Sequence, residues 1–414
     1  MMLPVEGLPW LEISKQLEAA KAKDFSWRDG RMAFYFYYLD DALSQVQKGA
    51  YTSYWTENNL GKGAFPSLAR LESELIEFGL ELLNAPPGAA GTFTSGGSES
   101  IFLALQTARD AARSERGITQ PNFVVPRTAH PAFSRAGHAL GIEILRVPTT
   151  RADYRADVAG MTARIDANTI GLVGSAPNYP FGVFDPISEL GALAKSRELW
   201  LHVDACVGGF LSPWVKRLGY PIPDWDFTVQ GVTSISADLH KYGMAAKGAS
   251  LMLLRSDEIK QRHQKFDFRD WERGQYATFV MQGTRPGGSV AAAWAVTQHL
   301  GEEGYLRCAR LIMDAKRQMV EGVNAIDGLR VLDAHELCIF VTRASDPELD
   351  MAAVCDAMFA RGWYVGRQAE PVDIHMALNP IHHQNVEAYL ADLRQSVDEV
   401  RARRAVGTAA GQTY

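Results

Sequence analysis

A chain of 414 residues is too long for one small core and fits two closely packed domains. Its 48 acidic and 42 basic residues leave a formal net charge of −6, so the surface as a whole offers no attraction to nucleic acid or anionic lipid. The four cysteines (Cys206, Cys308, Cys338, Cys355) show no CxxC pairing, the N-terminus lacks a basic start with an apolar run, and no apolar stretch approaches ~20 residues; a soluble cytoplasmic protein with no metal site, disulfide framework or membrane segment is expected.

Residues 11–23 alternate apolar and charged positions at helical spacing and predict an amphipathic helix. Pro66 to Asn84 repeats the pattern, with Leu68, Leu71, Leu75, Ile76, Leu80 and Leu83, before Pro86-Pro87-Gly88 stops it. From there β-branched runs alternate with helical segments. Strands are predicted at Asn122–Val125, Glu143–Val147, Ile170–Ser175, Trp200–Val203, Ser234–Ala237 and Ser250–Leu254, with helices such as Ser98–Ser114 and Pro186–Glu198 between them. Such alternation predicts an α/β protein with a mostly parallel sheet covered by helices on both faces. After about residue 300 the pattern becomes a helix (Glu302–Ile326), two strands (Leu329–Asp333, Leu337–Thr342) and two helices (Leu349–Arg361, Gln384–Arg404), a smaller α+β unit. The division read from this is 1–60 as an N-terminal helical segment, 61–300 as the large domain and 301–414 as the small one. The tail GTAAGQTY is expected to be disordered.

Ligands of α/β sheets sit beyond the carboxyl ends of the strands, and three segments there carry chemistry. Thr94-Ser95-Gly96-Gly97-Ser98-Glu99-Ser100 opens a helix: glycines let backbone approach an anion, and the helix N-terminus favours negative charge, so the segment reads as a phosphate cradle or a plain N-cap. Asp204, in HVDACVGGF, ends an apolar strand; a buried carboxylate needs a positive partner, and a protonated pyridine nitrogen is one. Lys241, in SADLHKYG, follows a strand end beside His240; burial there would strip its proton and let the amine condense with an aldehyde. A phosphate, a pyridine and an aldehyde meet in pyridoxal 5′-phosphate (PLP), with Lys241 holding it as an imine. His130, in TAHPAF, then reads as a ring stacked on the cofactor.

The segments TSGGSES, TAHPAFSRAG, HVDACVGGF, GVTSISADLHKYGMAAKGAS and GTRPGG closely resemble the sphingosine-1-phosphate lyase family, within the PLP enzymes of fold type I related to the group II amino-acid decarboxylases. The similarity runs from about Gly30 to about residue 400. HKYG followed by AKGAS looks like the lyases, where decarboxylases show HKW. The resemblance implies fold type I, with a seven-stranded sheet, and a homodimer with shared sites. It implies that Lys241, Asp204 and His130 serve the cofactor ring and that Gly97, Ser98 and His240 contact its phosphate, with Thr284 added from the neighbouring subunit. Lys247 and Tyr276 match positions near the substrate phosphate. Tyr37 matches a tyrosine reaching into the partner's site, and Asn58 an asparagine of the substrate entrance. Two positions depart from the pattern. Gly61 stands where the lyases have histidine, with Lys62 as the neighbouring cation, and Phe181 replaces another histidine. Both weaken the implication of a phosphorylated sphingoid base.

The implied reaction is a retro-aldol cleavage of a β-hydroxy amine, phosphorylated or not, to an aldehyde and an amine. Lys241, His130, Tyr37 and Tyr276 are the candidates for proton transfer. The alternative is an amino-acid α-decarboxylase, which needs a group for the α-carboxylate; Arg285 is the candidate. A PLP-fold module without catalysis is opposed by the intact Lys241, Asp204 and His130.

Overall fold

The computed structural model describes residues 3–149, 153–333, 335–403 and 406–407. Apart from Gly407, the tail expected to be disordered lies outside them, as does Arg404 at the end of the last predicted helix.

Seven strands form the large sheet: β1 (Ala90–Thr94), β2 (Asn122–Pro126), β3 (Glu143–Val147), β4 (Thr169–Ser175), β5 (Trp200–Asp204), β6 (Ser234–Ala237) and β7 (Ser250–Leu254). Their order is β1-β7-β6-β5-β4-β2-β3, with β7 antiparallel to both neighbours and the remaining pairs parallel. Every strand but β3 is buried along its whole length, which is why these segments read as unbroken apolar runs. The α/β, seven-stranded expectation therefore holds, with β1 added to the six strands read from the sequence.

Beyond the sheet, a hairpin pairs β8 (Phe266–Phe268) with β9 (Tyr276–Thr278). The small sheet is antiparallel, ordered β10 (Leu329–Val331), β11 (Ile339–Ala344), β13 (Ile374–Ala377), β12 (Gly366–Arg367). One helix spans Gly287–Asn324 and bends at Gly301, whose φ of 55° is left-handed. The start expected at Glu302 is where its second segment begins, just past the Gly301 break; the first segment, from Gly287, was not read from the sequence, and together they lead from one sheet to the other. The amphipathic helix expected at 11–23 forms at Trp10–Ala20 and buries none of its residues. No described helix is long and apolar enough to cross a membrane.

The consequence of this topology for function is geometric. Strands β1, β2, β4, β5 and β6 point their carboxyl ends to one edge of the sheet, and the antiparallel β7 begins at that same edge. The loops after Thr94, Pro126, Ser175, Asp204 and Ala237, and the loop before Ser250, must therefore meet.

Candidate active site

They meet around a cavity of about 570 Å³. The Gly97–Arg116 helix starts at its wall, and its N-cap, Gly96, has no side chain to cap it; Glu99 N–H donates to Gly96 O at 3.0 Å, and the N–H groups of Gly97 and Ser98 are left for an anion. A Cβ built on Gly97 would stand 2.6 Å from Cys206 Sγ and 3.0 Å from both oxygens of Asp238, so only glycine lets the turn come this close. Glu99 fixes the cradle by accepting from Ser95 N–H and Ser95 Oγ–H, both at 2.7 Å.

Asp204 is 9% exposed and faces the cavity from the end of β5. Its Oδ1 accepts from Cys206 N–H at 3.1 Å and Ser236 Oγ–H at 3.4 Å. His130 lines the same cavity; Ala132 N–H donates to its Nδ1 at 3.1 Å, and burial pulls its pKa below the ordinary value. The ring is thus neutral with its proton on Nε2. That makes it a flat face and a donor, and removes it from the candidate proton acceptors in this arrangement. His240 is held likewise: Ala249 N–H donates to Nδ1 at 3.2 Å, and burial lowers its pKa to about 4.

Lys241 departs from the sequence expectation. Burial alone would free its amine of a proton, but Nζ lies 3.0 Å from Asp238 Oδ2, and that charge, followed by smaller contributions from Cys206, Tyr37 and Asp204, outweighs desolvation and raises the pKa well above the usual value. Asp238 moves the other way. Burial favours its neutral form, yet Lys241 and His240 hold it below the usual carboxylate range. The lysine waits as one half of an ion pair. Asp238 was missed in the sequence, although the signal was there: Asp204 pairs in register with Ser236, so Asp238 stands just beyond the neighbouring strand end.

Tyr37 lines this chain's own cavity, where the resemblance implied a partner's. Lys247 Nζ sits 4.7 Å over the Tyr37 ring and donates to His240 O at 3.3 Å; burial and then Lys241 lower its pKa to about 8. Three expected site residues stand outside the cavity. Asn58 Nδ2 donates to Thr284 Oγ1 at 3.2 Å, and Tyr276 lies in the hairpin that leads to that loop. Lys62 is tied to Glu72 at 3.1 Å, and Phe181 stacks on Tyr154 with ring centroids 4.0 Å apart. Neither lines the cavity, so the Phe181 departure leaves its wall unchanged. Arg285 is 8% exposed and committed to Glu72 at 3.4 Å and to Asn59 O at 3.1 Å. The carboxylate-orienting role considered for it fails because its guanidinium serves the fold. Phe34 and Tyr35, passed over in the sequence, stand at the cavity wall, and Tyr35 holds a left-handed φ of 74°. Among the described residues no three metal-ligating side chains cluster.

The donor set fits PLP: an anion cradle, a carboxylate for a ring N–H, a flat imidazole and an amine converge on one space, and Asp238 Oδ1 is buried there without a hydrogen-bond partner. Residues 26–341 match the family model described as pyridoxal-dependent decarboxylase conserved domain. Fold and site together define a pyridoxal-dependent lyase-class protein. The sphingosine-1-phosphate lyase of Arabidopsis thaliana is 40% identical over 412 residues, covering 97% of this chain and 74% of that protein. Sphingosine-1-phosphate lyase 1 of Rattus norvegicus is 36% identical, covering 100% and 72%. The solved structure of the Burkholderia pseudomallei sphingosine-1-phosphate lyase superposes with a TM-score of 0.92 at 36% identity, covering 98% of this chain and 94% of that one. The chain belongs to the sphingosine-1-phosphate lyase family within the pyridoxal-dependent decarboxylase superfamily.

Proposed function

We propose that the protein uses PLP to cleave the Cα–Cβ bond of a β-hydroxy amine bearing an anionic group, releasing an aldehyde and an amine. The observation that carries this is the convergence of Lys241, Asp204, His130 and the Gly97–Ser98 cradle on one cavity that also holds a second lysine, Lys247. PLP, when bound, supplies the electron sink for the pair released as the carbon–carbon bond breaks. Lys241 Nζ is the attachment point for the cofactor aldehyde, and Asp238 holds that amine in place. Asp204 receives the ring N–H, His130 covers the ring face, and the first-turn N–H groups with His240 take the cofactor phosphate. Lys247 is then left for the substrate's anion. The proton of the β-hydroxyl goes to a group at this site; with His130 already a donor, Lys241, Tyr37 and a Tyr276 contributed by the neighbouring subunit remain.

We also propose a homodimer in which Thr284, Asn58 and Tyr276 act on the neighbouring site, working in a reducing cytoplasm; the four buried free thiols support the latter. The test of the reaction is to incubate the PLP-loaded protein with sphingosine-1-phosphate, sphingosine, and aromatic and acidic amino acids. Aldehyde from the phosphorylated base is the expected product. Carbon dioxide from amino acids without any aldehyde would establish the decarboxylase instead, and neither product would sink both.

A further inference from the structure

Leading up to Asp204, polar side chains run along one face of two paired strands. Trp200, His202 and Asp204 are alternate residues of β5 and so share a face, and register sets Ser234 beside His202 and Ser236 beside Asp204 on β6. Trp200 Nε1 lies 2.7 Å from Ser234 Oγ, Ser234 Oγ 2.8 Å from His202 Nδ1, His202 Nε2 3.2 Å from Ser236 Oγ, and Ser236 Oγ 3.4 Å from Asp204 Oδ1. His202, Ser234 and Ser236 are fully buried. The proposed function uses none of these three.

The direction of every proton in this row follows from its two ends. An indole N–H can only donate, and an ionised carboxylate can only accept. Ser234 Oγ therefore accepts from Trp200 and turns its own proton to His202 Nδ1. With Nδ1 an acceptor, the neutral imidazole carries its proton on Nε2 and gives it to Ser236 Oγ, which donates in turn to Asp204 Oδ1. Ser236 Oγ has a second lone pair, and Cys206 Sγ–H, 3.3 Å away, fills it. The reverse polarity would leave the Ser234 hydroxyl proton and one lone pair of the Asp204 carboxylate without partners in a buried place. His202 has lost its charge to burial, with a pKa near 4. It therefore carries a single ring proton, as the row requires.

We infer that Trp200, Ser234, His202 and Ser236 form a one-way hydrogen-bond chain aimed at Asp204, and that His202 and Ser236 are positioning residues that hold Oδ1 of this carboxylate and keep its second oxygen turned to the ligand. The inference rests on the reading of Asp204 as the partner of the cofactor ring nitrogen. Hydrogen bonds in series polarise one another, and each donor to a carboxylate favours its charged form, so the chain strengthens the group that holds the ring proton.

Two measurements test it. In PLP-free protein labelled with ¹⁵N-histidine, His202 is expected to show its proton on Nε2 and an unprotonated, hydrogen-bonded Nδ1; a proton on Nδ1 overturns the chain, whatever Asp204 does. With PLP labelled at its ring nitrogen, Ser236→Ala and His202→Phe are expected to weaken cofactor binding on the order of tenfold and to move the ring ¹⁵N signal toward the unprotonated value, while Ser236→Thr, which keeps the hydroxyl, restores both. Asp204→Asn separates the two ways of failing. If it moves affinity and signal while Ser236→Ala and His202→Phe move neither, the chain is idle and the inference falls. If Asp204→Asn itself moves neither, the reading of Asp204 falls first.

Discussion

At Lys247, burial and the nearby Lys241 ammonium act in the same direction, and a pKa of about 8 leaves the side chain charged at neutral pH but not far above it. Its pairing with an anionic substrate should therefore be present below pH 8 and fade as pH rises through that value. The KM for a phosphorylated substrate is expected to climb above pH 8 in the parent protein and to stay flat across that range in Lys247→Arg, whose guanidinium keeps its charge. Lys247→Ala should raise the same KM at pH 7 on the order of tenfold or more and leave PLP affinity nearly unchanged, since Lys247 is assigned to the substrate and not to the cofactor. Equal losses for both ligands would show that the phosphate assignment is misplaced. Lys247 itself was legible because AKGAS sits in a recognisable segment. Its shifted pKa was not: it needs the burial that the fold imposes on Lys247 and the Lys241 charge, which is not adjacent in sequence. The same holds for the ion pair of Lys241 with Asp238, where a charge three residues away overturned the expectation drawn from burial alone.

Elements were legible where burial made them periodic. The helices at 66–84 and 98–114 and five of the six fully buried strands follow from apolar runs, and β3 was read as well although most of it is not buried; β1 was not read. The first segment of the Gly287–Asn324 helix, before the break at Gly301, was not read because it is buried without interruption from Gly287 through Ala293 and so shows no polar stripe there for a periodicity to reveal. Strands β12 and β13 were missed because two and four residues are too short to establish alternation. The same long helix carries Lys316, which is 8% exposed and whose pKa burial lowers to about 8. An unfolded lysine keeps its proton up to about pH 10.5, so below pH 8 the folded state bears the full cost of a buried ammonium, about 3 kcal/mol. That cost fades as pH rises from 8 to 10.5. Lys316→Met is therefore expected to be more stable than the parent at pH 7 by about 1–3 kcal/mol, with the difference shrinking toward pH 10.5. Denaturant titrations of both proteins across that range check it. A parent that is the more stable of the two at pH 7 would mean that Lys316 contributes a contact outweighing its desolvation.

For the molecule as a whole, sequence motifs placed the cofactor residues in one site without saying which chain completes it. Eight of the eleven residues named from the sequence line the cavity of their own chain; Thr284, Asn58 and Tyr276 do not. Thr284 and Asn58 hold each other at the loop that precedes the long helix. Sequence order carries no information on this point, because a motif is equally intact whether its residues serve one copy or two. If the three act across a twofold interface, a chain with Lys241→Ala lacks the attachment amine but still offers an intact Thr284 to its neighbour. A chain with Thr284→Asp keeps its own amine but presents a negative charge to the neighbour's phosphate cradle. Each variant alone should be inactive. Mixed through dissociation and reassociation, they form heterodimers in which one site of the two has both its own Lys241 and a neighbour's Thr284, so about a quarter of all sites should regain activity under random pairing. Recovery that follows the mixing ratio would support the shared site; no recovery, with heterodimers present, would place Thr284 in the service of its own chain's site, and a Thr284→Asp protein active by itself would place it outside the chemistry.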